Sequence, residues 1–282
     1  METFTLNNGT RIPAVGIGTF LMSPEDAEEA VFQAFTNGYT MVDTANAYMN
    51  EKAVGRGIKK AGVKREDIYV STKLWPSIYG SAESAIDDTL KRLGTDYIDL
   101  LFLHQPVGDT QHAYQAMEDA VKAGKVRSIG LSNFEGETLK SFLKDVHIKP
   151  AVIQVEAHPY EAQKELKAFL DTFGARIMAW YPLGHGDASL IREPLFTKLA
   201  DKYHKSSAQI ILRWHIQSGN IVIPGSRNPQ HIKDNIDLFD FSLSDDEMKA
   251  IDGLNRHKRY YTATETALQG YLHMAPDFNA QA

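Results

Sequence analysis

The sequence predicts an α/β fold, a closed (β/α)8 TIM barrel, and three observations support that. Short β-branched and apolar runs alternate with amphipathic stretches along most of the chain. The runs are continuous rather than alternating, the pattern of strands buried on both faces of a parallel sheet. The length of 282 residues is close to the roughly 250 that such barrels arrange around one core. Residues 1–282 are therefore expected to form a single domain. An open doubly wound sheet is the competing arrangement, but eightfold repetition favours closure.

The elements follow in order. Phe4–Thr5–Leu6 and Arg11–Ile12 flank Asn7–Asn8–Gly9, a turn sequence that predicts a hairpin plugging the barrel bottom. Val15–Gly16–Ile17 opens the strand series. It continues at Met41–Val42, Ile68–Val70, Ile98–Leu103, Ser128–Leu131, Ala151–Val155, Ile177–Trp180 and Ile221–Ile223. Ser23 before Pro24, Glu25 and Asp26 is a helix start, and Gly38 is its stop. Between them Ala27, Ala30, Val31, Ala34 and Phe35 share one helical face, which reads as core packing. Similar patterns cover Ala82–Leu93 before Gly94 and Ser207–Ile216 before Gly219. Ser244 with Glu247 opens a late helix carrying Met248, Ile251 and Leu254. The tail from Arg256 to Ala282 mixes tyrosines with Gly, Pro and polar residues, as suits a loop folded over a pocket.

Composition narrows the function. Acidic residues number 36 against 30 basic ones, spread along the chain without a basic block, so a nucleic-acid partner is not expected. Cysteine is absent, which excludes disulfides, thiolate catalysis and cysteine-ligated metals. No apolar run is long enough to cross a bilayer and no basic region precedes one at the start, so a soluble cytoplasmic protein is expected. His104, His112, His158 and His185 lack metal-ligand spacing, and no metal site is expected.

The chemistry concentrates at the ends of three successive runs: Asp43 and Tyr48 in D-T-A-N-A-Y, Lys73 in S-T-K-L-W, and His104 in L-L-F-L-H-Q-P. Each has an ordinary explanation, as a helix cap, a packed ring, a solvated strand end or a turn histidine. Functional residues of parallel barrels, however, project from the C-terminal ends of strands, and these fall on adjacent ones. A phenol with a pKa of roughly 10 is a poor acid unless a cation stabilises its anion. Lys73 is placed to be that cation, Asp43 to hold it charged, and His104 to hydrogen-bond a carbonyl oxygen beside Tyr48.

These motifs resemble the catalytic set of the aldo-keto reductases, and the resemblance covers nearly the whole chain. It continues in Gly16–Phe20, Ile129–Phe134, Gln154–Pro159, Ala179–Gly184 and Ile223–Ser226. Trp180, where many relatives have tyrosine, is similar to the bacterial branch that includes the diketogluconate reductases. The resemblance implies reduction of an aldehyde or ketone with NADPH, Tyr48 acting as general acid, by a monomer without a Rossmann fold. Gly16-x-Gly18 accordingly lacks the third glycine of the dinucleotide fingerprint. It implies that Gly18 and Thr19 line the cofactor, that Ser132, Asn133 and Gln154 bond the nicotinamide carboxamide, and that Trp180 stacks on the ring. Tyr181, Pro182, Leu183, Gly184 and the loop through Asp187 would pass over the pyrophosphate. Ser226, Arg227, Asn228, His231, Asp234 and Asn235 would surround the adenosine, and Phe20, Trp75 and Gln105 the substrate. Two departures bear on this. Gly225 and His231 stand where many relatives carry basic residues for the ribose phosphate, which leaves NADH as an alternative cofactor. Gln105 puts an amide where many relatives place tryptophan. A cofactor-binding regulatory subunit with little turnover is the alternative function; the natural substrate is not fixed by sequence.

Overall fold

The computed structural model describes residues 1–282, beginning with an antiparallel hairpin, β1 (Thr3–Thr5) and β2 (Arg11–Pro13). Eight parallel strands follow and pair side by side in chain order. They are β3 (Ile17–Gly18), β4 (Met41–Asp43), β5 (Tyr69–Leu74), β6 (Ile98–Leu103), β7 (Val126–Ser132), β8 (Val152–Glu156), β9 (Arg176–Trp180) and β10 (Ile221–Val222). A parallel bridge between Val15 and Val222 joins the last strand to the first, with Gly16 N donating to Val222 O at 2.9 Å and Val222 N to Ala14 O at 3.0 Å. The sheet thus curls into the expected (β/α)8 barrel.

Alternate side chains on each strand face opposite ways, and this divides the core in two. Leu100 and Phe102 face the lumen with Met41, Tyr69, Val152, Met178 and Ile221. Leu101 and Leu103 face outward into a larger cluster shared with the helices. The hairpin closes the lumen from below: Leu6 and Ile12 pack into it, and Asn8 Nδ2 donates to Arg127 O and Ser128 Oγ at 3.2 and 2.9 Å.

The helix starts carry their expected caps. Ser23 Oγ accepts from Asp26 N at 3.1 Å at the head of the helix Pro24–Thr36. Ser244 and Glu247 form a reciprocal capping box, and Ser206 with Gln209 forms another one residue ahead of the expected start. Strand β5 runs on beyond its apolar start through the polar Ser71, Thr72 and Lys73, which are fully buried between β4 and β6, so Lys73 stands near the strand end as expected. The tail is more than a loop: Thr264 caps a helix, Glu265–His273, whose Ala267, Leu268, Tyr271 and Leu272 are half-buried along one side. Both tail ends are anchored to the barrel. Tyr160 O accepts from Arg256 N and Lys258 N at 3.2 and 3.0 Å, while Lys52 Nζ donates to Asn279 O and Gln281 O at 2.9 Å. No helix is long and apolar enough to cross a membrane.

Candidate active site

Asp43, Lys73 and His104 meet at the C-terminal mouth because β4, β5 and β6 end there in register. Asp43 pairs with Ser71 across the first two strands, and His104 N donates to Leu74 O at 3.0 Å across the next two. Lys73 has no exposed surface, and its ammonium is held from two sides: Nζ lies 2.6 Å from Asp43 Oδ2 and donates to Thr44 O at 2.8 Å. The other oxygen, Asp43 Oδ1, accepts from Ser71 Oγ at 2.8 Å and Gln154 Nε2 at 3.1 Å. A buried carboxylate so surrounded is pinned, and it pins the lysine. Tyr48 enters from a short 3-10 turn, Asn46–Tyr48, and places its ring centroid 4.9 Å from Lys73 Nζ. His104 stands edge-on to it, with centroids 5.6 Å apart.

The charges of this cluster are set by competing effects. Burial works to discharge Lys73, but Asp43 and Tyr48 together outweigh it and raise its pKa, so the ammonium persists. For Tyr48 burial is the largest influence and raises the phenol pKa; the pull of Lys73 opposes it without cancelling it. The resting tyrosine therefore keeps its proton, and Lys73 limits the cost of giving it up. Burial, helped by the neighbouring Lys73 charge, holds His104 well below the usual imidazole range and therefore neutral.

The walls of the mouth are aromatic. Phe20 packs on Tyr48 at 5.1 Å between centroids, and Trp75 on His104 at 4.9 Å. The tail completes the enclosure: Tyr271 stacks edge-on to Trp75 at 5.0 Å and accepts the Trp75 indole N–H on its backbone oxygen at 2.9 Å. The hydroxyls of Tyr261 and Tyr271 pair, and Tyr261 faces Trp180 at 6.3 Å, so the tail bridges two sides of the opening. Gln105 is buried, its backbone N and O both bonded to the Tyr79 hydroxyl, at 3.1 and 3.0 Å.

Comparison with known proteins decides which barrel family this is. Residues 14–256 match the aldo/keto reductase family. An aldo-keto reductase of Mycolicibacterium smegmatis is 45% identical over 263 residues, covering 90% of this chain and 94% of its own. The glyoxal reductase of Bacillus subtilis is 42% identical over 262 residues, covering 92% and 94%. A Bombyx mori aldo-keto reductase solved in complex with NADP superposes with a TM-score of 0.86 at 36% identity, covering 93% of this chain and 95% of that one. The chain belongs to the aldo/keto reductase family. It is an oxidoreductase of carbonyl chemistry, and its similarity to bacterial members agrees with the branch expected from Trp180.

An aldo/keto reductase needs a place for a nicotinamide, and the residues present fit one. Ser132 and Gln154 are register partners at the ends of β7 and β8, with Asn133 next to them, giving a hydroxyl and two amides for a carboxamide. Asn133 holds a left-handed backbone, φ 64°, and its side chain is already in use: Nδ2 donates to His104 O at 3.1 Å and Oδ1 accepts from Trp180 Nε1 at 3.0 Å. Asn133 therefore ties Trp180 to His104. Thr19 is buried with its hydroxyl 3.3 Å from Asn50 Oδ1, which places it in the scaffold beside Gly18. Beyond Tyr181 and Pro182, the loop from Leu183 turns through positive φ at Gly184, His185 and Gly186. It is fastened by the tail, since Asp187 accepts from Tyr260 Oη at 2.6 Å and Lys258 Nζ at 2.8 Å. These bonds depress the Asp187 pKa, the one from Lys258 most.

On the segment expected to surround the adenosine, Asn228 caps the helix Pro229–Ile236, which brings His231, Asp234 and Asn235 together. His231 is exposed, whereas Asn235 is buried. Asp234 is occupied by Gln230 Nε2 at 2.7 Å and Ser226 Oγ by Asn228 N at 3.1 Å. Arg227, with 67% of its side chain exposed, makes one long contact, Nη1 donating to Asp26 Oδ2 at 3.4 Å. A Cβ at Gly225 would lie 3.0 Å from Gly18 O, so this residue packs closely where a lysine would need the backbone to shift.

Several supporting residues escaped sequence reasoning. Asn50 ties the loops after β3 and β4, accepting from Thr44 Oγ1 at 2.9 Å and donating to Thr19 O at 3.0 Å. Glu156, fully buried, accepts from Tyr260 N at 2.6 Å and Tyr261 N at 3.1 Å and so anchors the tail's entry. Its acidic character at a strand end was the available signal; its partners, over a hundred residues along the chain, were not.

Proposed function

We propose that this protein reduces aldehydes and ketones to alcohols, taking its hydride from NADPH, with Tyr48 as the proton donor. The observation that carries this is the Asp43–Lys73 pair, which keeps a positive charge 4.9 Å from the ring of a protonated, partly enclosed phenol. When bound, the nicotinamide supplies the hydride. The chain's own residues do the rest. His104, neutral and edge-on to Tyr48, orients the carbonyl oxygen; Tyr48 gives its proton to the oxygen as negative charge develops there; Lys73 stabilises the phenolate left behind. Asp43 holds Lys73 charged throughout. Phe20, Trp75 and the tail tyrosines exclude water from the reacting carbon.

NADPH is favoured over NADH because Arg227 is exposed and held only by a long 3.4 Å contact to Asp26, which it can exchange for a phosphate, and guanidinium suits bidentate phosphate contacts. The NADP-bound relative supports the same choice. A monomer suffices, since tetrad, walls and tail all come from one chain. The glyoxal reductase likeness suggests small reactive aldehydes as substrates. A panel of glyoxal, methylglyoxal and simple aromatic aldehydes, run with each cofactor, tests the reading. Aldehyde-dependent oxidation of NADPH, faster than that of NADH, is expected; absence of turnover with every carbonyl would return the chain to a regulatory binding role.

A further inference from the structure

Glu51 is a fully buried carboxylate that the proposed chemistry does not use. It opens the helix Glu51–Ala61, just beyond Tyr48, and the link between them turns through a left-handed Met49, φ 57°. Both of its oxygens are taken. Oε1 accepts from Thr72 Oγ1 and Oε2 from Arg92 Nε, each at 2.6 Å. Arg92, itself buried, donates onward to Thr89 Oγ1 at 2.8 Å and Asn279 Oδ1 at 2.7 Å. Thr72 is the residue before Lys73. It is the register partner of the outward-facing Leu101, and Lys73 that of the lumen-facing Phe102, so the two side chains leave β5 on opposite sides. Asn50 fastens the Tyr48 segment to the loops after β3 and β4, whereas Glu51 fastens it to the strand that carries the lysine. A buried ion pair is a weak source of stability, since apolar residues of similar volume often serve as well. What this pair supplies is a fixed position.

We propose that Glu51 is a positioning residue for carbonyl reduction, its carboxylate holding the Tyr48 segment against β5 so that the phenol stays beside the Lys73 ammonium. This rests on the reading of Tyr48 as proton donor and adds what keeps the donor in place. The ammonium lies 4.9 Å from the ring centroid, and a displacement of about 1 Å in such a constellation can slow a reaction on the order of a hundredfold.

The test compares Thr72→Val, which keeps the volume and removes the hydroxyl bonded to Glu51, with Thr72→Ser, which retains that hydroxyl. Benzaldehyde reduction and benzyl alcohol oxidation are followed across pH, and NADPH binding by tryptophan fluorescence. Thr72→Val is expected to lower kcat for reduction by about tenfold or more. It should also raise the pH at which oxidation is half-maximal by about one unit, because the phenolate loses part of the lysine's support. NADPH affinity should not change. Thr72→Ser is expected to restore both rate and profile. The double variant Glu51→Gln with Arg92→Met removes the carboxylate without leaving a guanidinium buried alone; it is expected to show the same displaced profile and decides the matter if Thr72→Val does not fold. A wild-type rate and profile in Thr72→Val, or a lowered rate with an undisplaced profile, overturns the proposal. Tyr48→Phe judges the proton-donor reading separately: if it reduces benzaldehyde at the full rate, both readings fall, and if it is inactive while Thr72→Val is unaltered, only this one does.

Discussion

Replacing Lys73 by Met removes the one cation facing Tyr48 and keeps the volume. Taking the 4.9 Å from Lys73 Nζ to the ring centroid as the charge separation for a phenolate spread over the ring, an effective dielectric of about 20 gives an attraction of about 3.4 kcal/mol. That corresponds to about 2.5 pKa units, upward, on a phenol whose pKa burial has already raised. Alcohol oxidation, which needs the phenolate as base, should therefore fall about 300-fold at any pH below the phenol pKa. Carbonyl reduction should fall less, because only part of that charge has developed in the transition state. The variant also leaves Asp43 buried with bonds only from Ser71 and Gln154, which should cost about 3–5 kcal/mol of stability. Adding Asp43→Asn removes the orphan charge, so the double variant should regain stability without regaining activity, since Lys73 acts on Tyr48 more strongly than Asp43 does. The assay is steady-state oxidation and reduction across pH, beside thermal unfolding of each variant. Oxidation by Lys73→Met at wild-type rates and pH dependence would refute the electrostatic argument.

Three further outcomes are expected. Arg227→Ala should lower the NADPH-to-NADH preference in kcat/KM by about tenfold, the worth of one charge-assisted phosphate contact; an unchanged ratio would remove Arg227 from the cofactor site. Tyr260→Phe deletes the hydroxyl bond to Asp187 and should speed NADPH release several-fold in stopped-flow experiments, whereas an unaltered release rate would show that the tail does not fasten that loop. His215 is buried, Nε2 sits 3.1 Å from Pro182 O, and burial holds its pKa down to about 3. The folded state then binds fewer protons than the unfolded state below the ordinary value of 6.5, so its contribution is complete above that pH and is lost as pH falls towards 3, at about 1.4 kcal/mol per pH unit. His215→Gln should flatten chemical-denaturation stability over that interval; an equally steep profile would place the sensitivity elsewhere.

The barrel was legible because its buried strands are continuous apolar runs and its helices carry caps, as at Ser23 and Ser244. Lys73 shows where that logic stops. Its strand continues through Ser71 and Thr72, polar residues that resemble a loop until their partners Asp43 and Glu51 are placed across space. The four mouth residues could be read from their positions at strand ends, but the balance of charge on Tyr48 could not, because it depends on how much water the fold excludes. The tail marks a second limit. Tyr260, Tyr261 and Tyr271 suggested a cover for the pocket, while the helix Glu265–His273, whose apolar residues are only half-buried, read as loop. Its anchors, Glu156 and Lys52, are remote in sequence from what they hold.

The central claim is that Tyr48 delivers the proton and does not merely line the mouth. Tyr48→Phe tests it most directly, with NADPH binding followed by quenching of tryptophan fluorescence and glyoxal reduction followed by loss of NADPH absorbance. The account predicts cofactor affinity within about twofold of wild type and a kcat lower by about two to four powers of ten. Reduction by Tyr48→Phe at the wild-type rate, with the cofactor bound as tightly, would contradict it.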